Sequence, residues 1–182
     1  IDGCVAKTAA AFGGVSTLVN NVGWGRAYPD PLAVSAEEMV ESYRLNTLAA
    51  LRITAACRPH LERATNPTVT NSGSLVGVLP AFDFIAYSAA KAALNHAMLG
   101  LAHHFAKRVR VNTVLIGTVL TPGYAEAGLD EKTQEALAHP DNLTGRAGRP
   151  EDIANAFLSL ASPPGSWGSG QTIQVSGGGT RV

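Results

Sequence analysis

The stretch "YSAAK" sets Tyr87 and Lys91 four residues apart, on one face of the helix that the surrounding alanines predict. A phenol ordinarily titrates near pH ~10, and an ammonium group held a few ångströms away favours its phenolate. A tyrosine tuned in this way can give or take a proton near neutral pH. Lys91 is the only charge between Asp83 and His96, inside a run of small residues suited to close packing. Ser74 stands thirteen residues before Tyr87 and closes the polar group Asn71-Ser72-Gly73-Ser74. The Tyr-x-x-x-Lys spacing alone is weak, because two surface side chains also fall four apart by chance. The neighbouring features give it weight.

Such groups need a scaffold, and the hydrophobic pattern supplies one. Residues 4–12 carry Val5, Ala9 and Phe12 at helical spacing and are stopped by Gly13-Gly14. "VSTLVNNVG" (15–23) reads as a buried strand that breaks into asparagines and a glycine. After a Gly-, Pro- and Trp-rich loop, Ser35 and Glu38 form a capping-box signature that starts a helix over 36–63. A strand at 67–72, a helix at 86–106 and a β-branched strand at 109–117 follow. The stretch 118–149 is looser, with a weak helix near 130–138; a helix at 150–162 and a last strand in "QTIQVSGGG" end the chain. Helices and strands alternate without a hairpin signal, which predicts an α/β fold with a doubly wound parallel sheet. No repeat or linker divides the chain, so one domain is expected. In such sheets ligands bind beyond the carboxyl ends of the strands. Those ends read Asn20-Asn21-Val22-Gly23, Asn71-Ser72-Gly73-Ser74 and Gly117-Thr118-Val119-Leu120-Thr121.

Composition narrows the function classes. The 182 residues are 46% apolar and 15% charged, a globular balance, and the formal net charge is zero. Neither nucleic acid nor an anionic membrane is an expected partner. The densest basic group, Lys107, Arg108 and Arg110, reads as a solvated helix end. Cys4 and Cys57 form no CxxC pair and suit a reducing compartment, and no apolar run is long enough to span a bilayer. A cytoplasmic location is the default. The five histidines show no ligand spacing, so no metal site is expected.

Taken together, the motifs make the chain resemble the short-chain dehydrogenase/reductase family, Rossmann-type enzymes that oxidise alcohols or reduce carbonyls with NAD or NADP. The resemblance rests on "LVNNVG", Asn46 in "RLNTLAAL", Ser74 ahead of "YSAAK", "VRVNTVLIGTVLT", "GRAGRPEDIANAFLSLAS" and "GQTIQVSGG", in the family's order and over nearly the whole chain. It implies that Tyr87 is the acid/base and that Lys91 lowers its pKa and holds the nicotinamide ribose. It implies that Ser74 polarises the substrate oxygen, and that Asn46 interrupts its helix and positions a water linking Lys91 to solvent. Asn20 and Gly23 would lie on the adenine-ribose side of the cofactor. Gly117, Val119 and Thr121 would line the nicotinamide end. Asn20 and Asn21 could also simply tie strands together, and Asn112 reads as structural.

The chain departs from the family pattern in places. Val22 stands where Ala is usual, and Ile116 where Pro is usual, which implies a looser nicotinamide loop. No GxxxGxG or GxGxxG occurs, so the phosphate-binding turn expected on the first strand is missing. By family logic the four strands are strands 4 to 7 of seven, with an N-terminal βαβαβ portion of roughly 60–75 residues expected before them. The chain is then part of a longer protein or a naturally short form.

The expected activity is an NAD(P)-dependent interconversion of a secondary alcohol and a ketone, as in 3-oxoacyl reductases and sugar or steroid dehydrogenases. A catalytically silent Rossmann-like binding or regulatory subunit is the alternative. An enoyl reductase is disfavoured, because that branch separates its Tyr and Lys by six residues. Residues 118–149 form the expected substrate lid, with Trp24, Phe82, Phe84 and Tyr124 as candidate pocket wall. The resemblance implies a homodimer or homotetramer through helices 36–63 and 86–106. The choice between NAD and NADP, and the substrate itself, are not readable.

Overall fold

Four short runs, Thr17–Asn20 (β1), Thr68–Ser74 (β2), Arg110–Ile116 (β3) and Thr172–Val175 (β4), pair in parallel in the order β1-β2-β3-β4. This computed structural model describes residues 1–121, 132 and 142–179. Five α-helices accompany the strands: Asp2–Phe12 (α1), Ala36–Tyr43 (α2), Ala49–Leu61 (α3), Ile85–His104 (α4) and Pro150–Ala161 (α5). The doubly wound parallel sheet expected from the alternating pattern is therefore present, with α1, α3 and α4 on one face and α5 on the other. The weak helix near 130–138, Tyr124 and most of the expected lid lie outside the described residues. Among the described residues no helix is long and apolar enough to cross a membrane.

The register explains the core. Leu18, Val69 and Val111 stand side by side on neighbouring strands and point to one face. Val5, Cys57, Leu61, Leu94, Met98 and Phe105 pack against them. Val69 and Leu61 are completely buried, worth about 1.5–3 kcal/mol each in apolar transfer. On the opposite face Val114 meets Phe157 and Leu160 from α5. Ile116, where flexibility was expected, ends β3 opposite Ser74 and Val175 and packs on that second cluster. β1 has cover on one face only: Leu18 and Asn20 are buried while Val19 is 47% exposed.

The helix expected over 36–63 is one rod with a fault in it. Ser35 caps α2, and both capping-box bonds to Glu38 are present. At Arg44–Leu48 the ladder widens to a π turn before α3 resumes. That turn carries Asn46 and Thr47, both buried.

Hydrogen bonds between side chains stitch the strands. Asn20 Nδ2 donates to Asn71 Oδ1 at 2.7 Å and to Thr54 Oγ1 on α3 at 3.2 Å. Asn71 Nδ2 donates to the Asn112 carbonyl at 3.2 Å. Asn112 in turn accepts from the Gln171 amide at 3.0 Å and donates to the Gly168 carbonyl at 2.9 Å, which confirms its structural reading. Arg110 is no solvated helix end: it lies in β3 and donates to the carbonyls of Leu160 and Gly165 at 2.8 and 2.9 Å. Strand pairing consumes its backbone, and those carbonyls consume its charge.

Asn71→Ala strips the acceptor from one buried asparagine and the donor from a buried carbonyl. Urea unfolding of this variant should show a loss of about 2–4 kcal/mol.

Candidate active site

The site forms where α4 passes under the carboxyl end of the sheet. Tyr87 and Lys91 lie one turn apart at the start of α4, as their spacing predicts. The alanines around them let the helix approach the sheet closely, and Lys91 ends up 2% exposed. Its Nζ donates to the Ser72 carbonyl of β2 at 2.9 Å and sits 5.6 Å from the centroid of the Tyr87 ring. Burial lowers the pKa of Lys91 to about 8.

Two neighbours on the π turn hold the surroundings in place. Thr47 Oγ1 donates to the Ala90 carbonyl at 2.7 Å, gripping α4 between Tyr87 and Lys91. Asn46 grips the loop after β1 from both sides: its Oδ1 accepts from the Trp24 amide at 3.0 Å, and its Nδ2 donates to the Trp24 carbonyl at 2.9 Å. The same Nδ2 also reaches the Ser42 carbonyl at 3.0 Å, so the Asn46 amide is fully engaged. Held in this way, the loop lays Gly23 over the lysine head, where a Cβ would come within 2.8 Å of Nζ. A Cβ on Gly25 would come within 2.7 Å of Tyr87 Cγ. Both glycines are there for close approach rather than for flexibility.

The other expected site residues are placed as follows. Ser74 is half-buried at the end of β2, directly before the 3₁₀ turn Leu75–Gly77 that packs on α4. Asn20 spends its side-chain donor on Asn71 of β2 and Thr54 of α3. Asn21 reaches the carboxyl edge, where its Oδ1 accepts from Ser72 Oγ. Gly117 follows β3 against Ser176, and Thr121 is exposed. Val119 bridges to Gly148 through the Thr118 carbonyl and the Leu120 amide. That pairing leaves the Val119 amide and carbonyl on the other side of the chain, free of the bridge. A backbone amide and carbonyl turned this way suit a carboxamide, and the carboxyl edge at Lys91 suits a ribose. Among the candidate wall residues, Phe84 meets the Tyr87 ring edge-on at 6.5 Å. Phe82 lies in the 3₁₀ turn Phe82–Phe84.

A cleft of about 140 Å³ opens beside Tyr87, lined among others by Trp24, Arg26, Tyr28 and Glu38. Arg26 pairs with Glu38 at 3.2 Å and lies over the Tyr28 ring, 5.5 Å from its centroid. A larger hollow of about 270 Å³ lies at the opposite edge of the sheet, around Gly14 and His60, and holds none of these groups. Thr47, Gly25, Arg26 and Tyr28 were not singled out from the sequence. The last three sit in "GWGRAYPDP", which follows the strand-end asparagines directly and so could have been suspected by position.

Comparison with known proteins agrees with this geometry. The family model described as enoyl-(acyl carrier protein) reductase matches residues 1–180. The chain belongs to the short-chain dehydrogenase/reductase family. The 7α-hydroxysteroid dehydrogenase of Escherichia coli K12 is 32% identical over 171 residues, which are 93% of this chain and 66% of that protein. An NADPH-bound short chain oxidoreductase from Pseudomonas aeruginosa PAO1, described as containing an atypical catalytic center, is 31% identical with a TM-score of 0.90, over 100% of this chain and 72% of that one. A 7α-hydroxysteroid dehydrogenase bound to NADH and 7-oxo glycochenodeoxycholic acid is 28% identical with a TM-score of 0.87, over 98% and 69% of the two chains. The chain spans 65–66% of the length of such curated relatives.

Below about pH 8 folding must bury a charged Lys91. Between there and the ordinary lysine value, the unfolded chain keeps a proton that the folded one releases, so stability rises with pH across that window. Lys91→Met should therefore raise stability at pH 7 by about 1–3 kcal/mol, with the margin shrinking toward pH ~10 in urea titrations. Gly25→Ala pushes on the Tyr87 ring and should cut turnover on the order of 10–100-fold while the thermal midpoint stays within a few degrees.

Proposed function

We propose that the protein is an NAD(P)-dependent oxidoreductase that interconverts a secondary alcohol and a ketone. The observation that carries this reading is the buried Lys91 ammonium beside the Tyr87 ring, anchored on the Ser72 carbonyl. When bound, the nicotinamide cofactor supplies or accepts the hydride. In reduction, the Tyr87 phenol gives its proton to the substrate oxygen as charge develops there. The nearby ammonium favours the phenolate left behind, and Ser74 holds the same substrate oxygen from the end of β2. Oxidation runs these steps in reverse. Asn46 serves proton return by positioning, through its main chain, a water that links Lys91 to solvent, its side-chain amide being engaged by Trp24 and Ser42. The widened turn at Arg44–Leu48 supports this, since it breaks the regular ladder around that residue.

Residues of this chain suit the cofactor in one orientation. Lys91 holds the nicotinamide ribose, and Gly117, Val119 and Thr121 line the nicotinamide end, with the Val119 backbone edge that faces away from Gly148 meeting the carboxamide. Asn20 and Gly23 lie toward the adenine ribose. In this reading the open edge of β1 receives further strands of a seven-stranded Rossmann sheet, and the pyrophosphate is held there. The one-turn spacing of Tyr87 and Lys91 favours carbonyl chemistry over the enoyl reduction in the matched family description. The aromatic side of the cleft, with Trp24 and Tyr28, suits a substrate with an apolar body. Solved relatives bind NADPH in one case and NADH in another, and this reading admits either.

The same reading places the protein in the cytoplasm, as a homodimer or homotetramer. The exposed apolar residues Val40, Tyr43, Leu48 and Leu99 on helices 36–63 and 86–106 support that assembly.

Full-length protein should reduce at least one member of a panel of 7-oxo glycochenodeoxycholic acid, ethyl acetoacetate and cyclohexanone with NADH or NADPH. Tyr87→Phe should lower kcat by about 10²–10⁴-fold while the circular dichroism spectrum and thermal midpoint are kept. Turnover that survives this substitution sinks the assignment of Tyr87.

A further inference from the structure

Tyr87 and Lys91 have a third companion on the same helix face. Asn95 follows Lys91 by one more turn of α4 and is only 7% exposed. Neither its Oδ1 nor its Nδ2 has a hydrogen-bond partner among the described residues. A buried carboxamide in that state carries the desolvation of two polar atoms with nothing to offset it.

Its surroundings show what it touches. A Cβ on Gly73 would lie 2.7 Å from Asn95 Oδ1, and a Cβ on Gly77 would lie 2.9 Å from Asn95 Nδ2. The amide is therefore wedged between two glycines, one at the end of β2 and one closing the following 3₁₀ turn. The Gly77 Cβ would also meet the α4 backbone, at 2.9 Å from the Lys91 carbonyl carbon and 3.0 Å from the Ala92 nitrogen. The chain from Gly73 to Gly77 thus bends around the Asn95 amide and rests on the helix between Lys91 and Asn95. Ser74 lies inside that bend, one residue after Gly73.

We propose that Asn95 is a positioning residue for Ser74, its flat carboxamide setting where the bend sits relative to Tyr87 and Lys91. This rests on the reading of Ser74 as the residue that holds the substrate oxygen. Lys91 fixes the strand just before the bend through the Ser72 carbonyl, and Asn95 fixes the bend itself. One helix face then carries the proton donor, its cation and the post that aligns the serine. A side chain needed only to fill space would serve better without polar atoms. Leucine has the same branching, but its methyl groups are bulkier than an oxygen or an amino group and are not coplanar with the stem. Glycine contacts this tight would have to open to admit them.

The test uses full-length Asn95→Leu and Asn95→Ala, each alone and combined with Ser74→Ala. Turnover is measured with the panel ketone reduced fastest, and hydrogen exchange is followed by mass spectrometry over residues 73–79. The expected result is a fall in kcat on the order of 10–100-fold for Asn95→Leu, with KM for the cofactor within twofold of the parent. Exchange in 73–79 should quicken in both Asn95 variants, and no further loss of kcat should appear once Ser74 is already alanine. Folded Asn95 variants with kcat within twofold and unchanged exchange overturn the proposal, as do losses that simply multiply with that of Ser74→Ala. If Asn95→Leu does not fold, Asn95→Ala decides. If Ser74→Ala itself leaves turnover intact, the serine assignment fails and the proposal with it. An impaired Ser74→Ala beside unimpaired Asn95 variants removes the proposal alone.

Discussion

A buried ammonium group with no ion-pair partner among the described residues sets the terms for everything near it. Lys91 can remain there only because its Nζ finds the Ser72 carbonyl and lies close to an aromatic ring. To bring that carbonyl within reach, α4 must lie close under β2, which its alanines permit. To shield the lysine head, the loop after β1 must pass at glycine distance, which the Asn46 clamp on Trp24 enforces. The clamp depends on the π turn, and the π turn is tied to α4 by Thr47. Stability is given up locally to hold a positive charge against a phenol. The asparagine-stitched sheet around it can absorb that cost.

The parts legible in the sequence share a property: their spacing is local. Tyr87 and Lys91 are one helical turn apart whatever the fold does, and the strands announce themselves by β-branched runs ending in asparagine. The parallel sheet, the two-sided helix cover and the capping box at Ser35 follow from the same short-range rules. The pieces that escaped notice are those whose meaning exists only across elements. Gly25 looks like any loop glycine until the Tyr87 ring is seen against it. Thr47 looks like a helix residue of poor propensity until its hydroxyl is found on the Ala90 carbonyl. Arg110 was grouped with its basic neighbours along the chain, though its guanidinium belongs to the carbonyls of Leu160 and Gly165 some fifty residues away.

Asn20 shows the two kinds of information meeting. Its position at the strand end marks the ligand edge of the sheet, and that reading placed it near a cofactor. Its side chain is turned inward, however, to Asn71 and Thr54, so the residue contributes rigidity to the edge. Position in sequence identifies the edge of a site more readily than it identifies which atoms face the ligand, because adjacent strand residues point to opposite faces.

The π turn at Arg44–Leu48 separates two jobs along one rod. Such a turn is in effect one extra residue threaded into an α-helix. The wide turn absorbs that residue locally, because roughly five residues in it carry the chain about as far around the axis as four in a regular helix. Thr54, Cys57 and Leu61 therefore keep facing the core, while Asn46 and Thr47 are turned to the loop after β1 and to α4. Removing a single residue there would restore a regular helix and leave the core face in place, but the grip on the loop and on α4 would go. The core on this side and the site thus answer to different residues of the same helix.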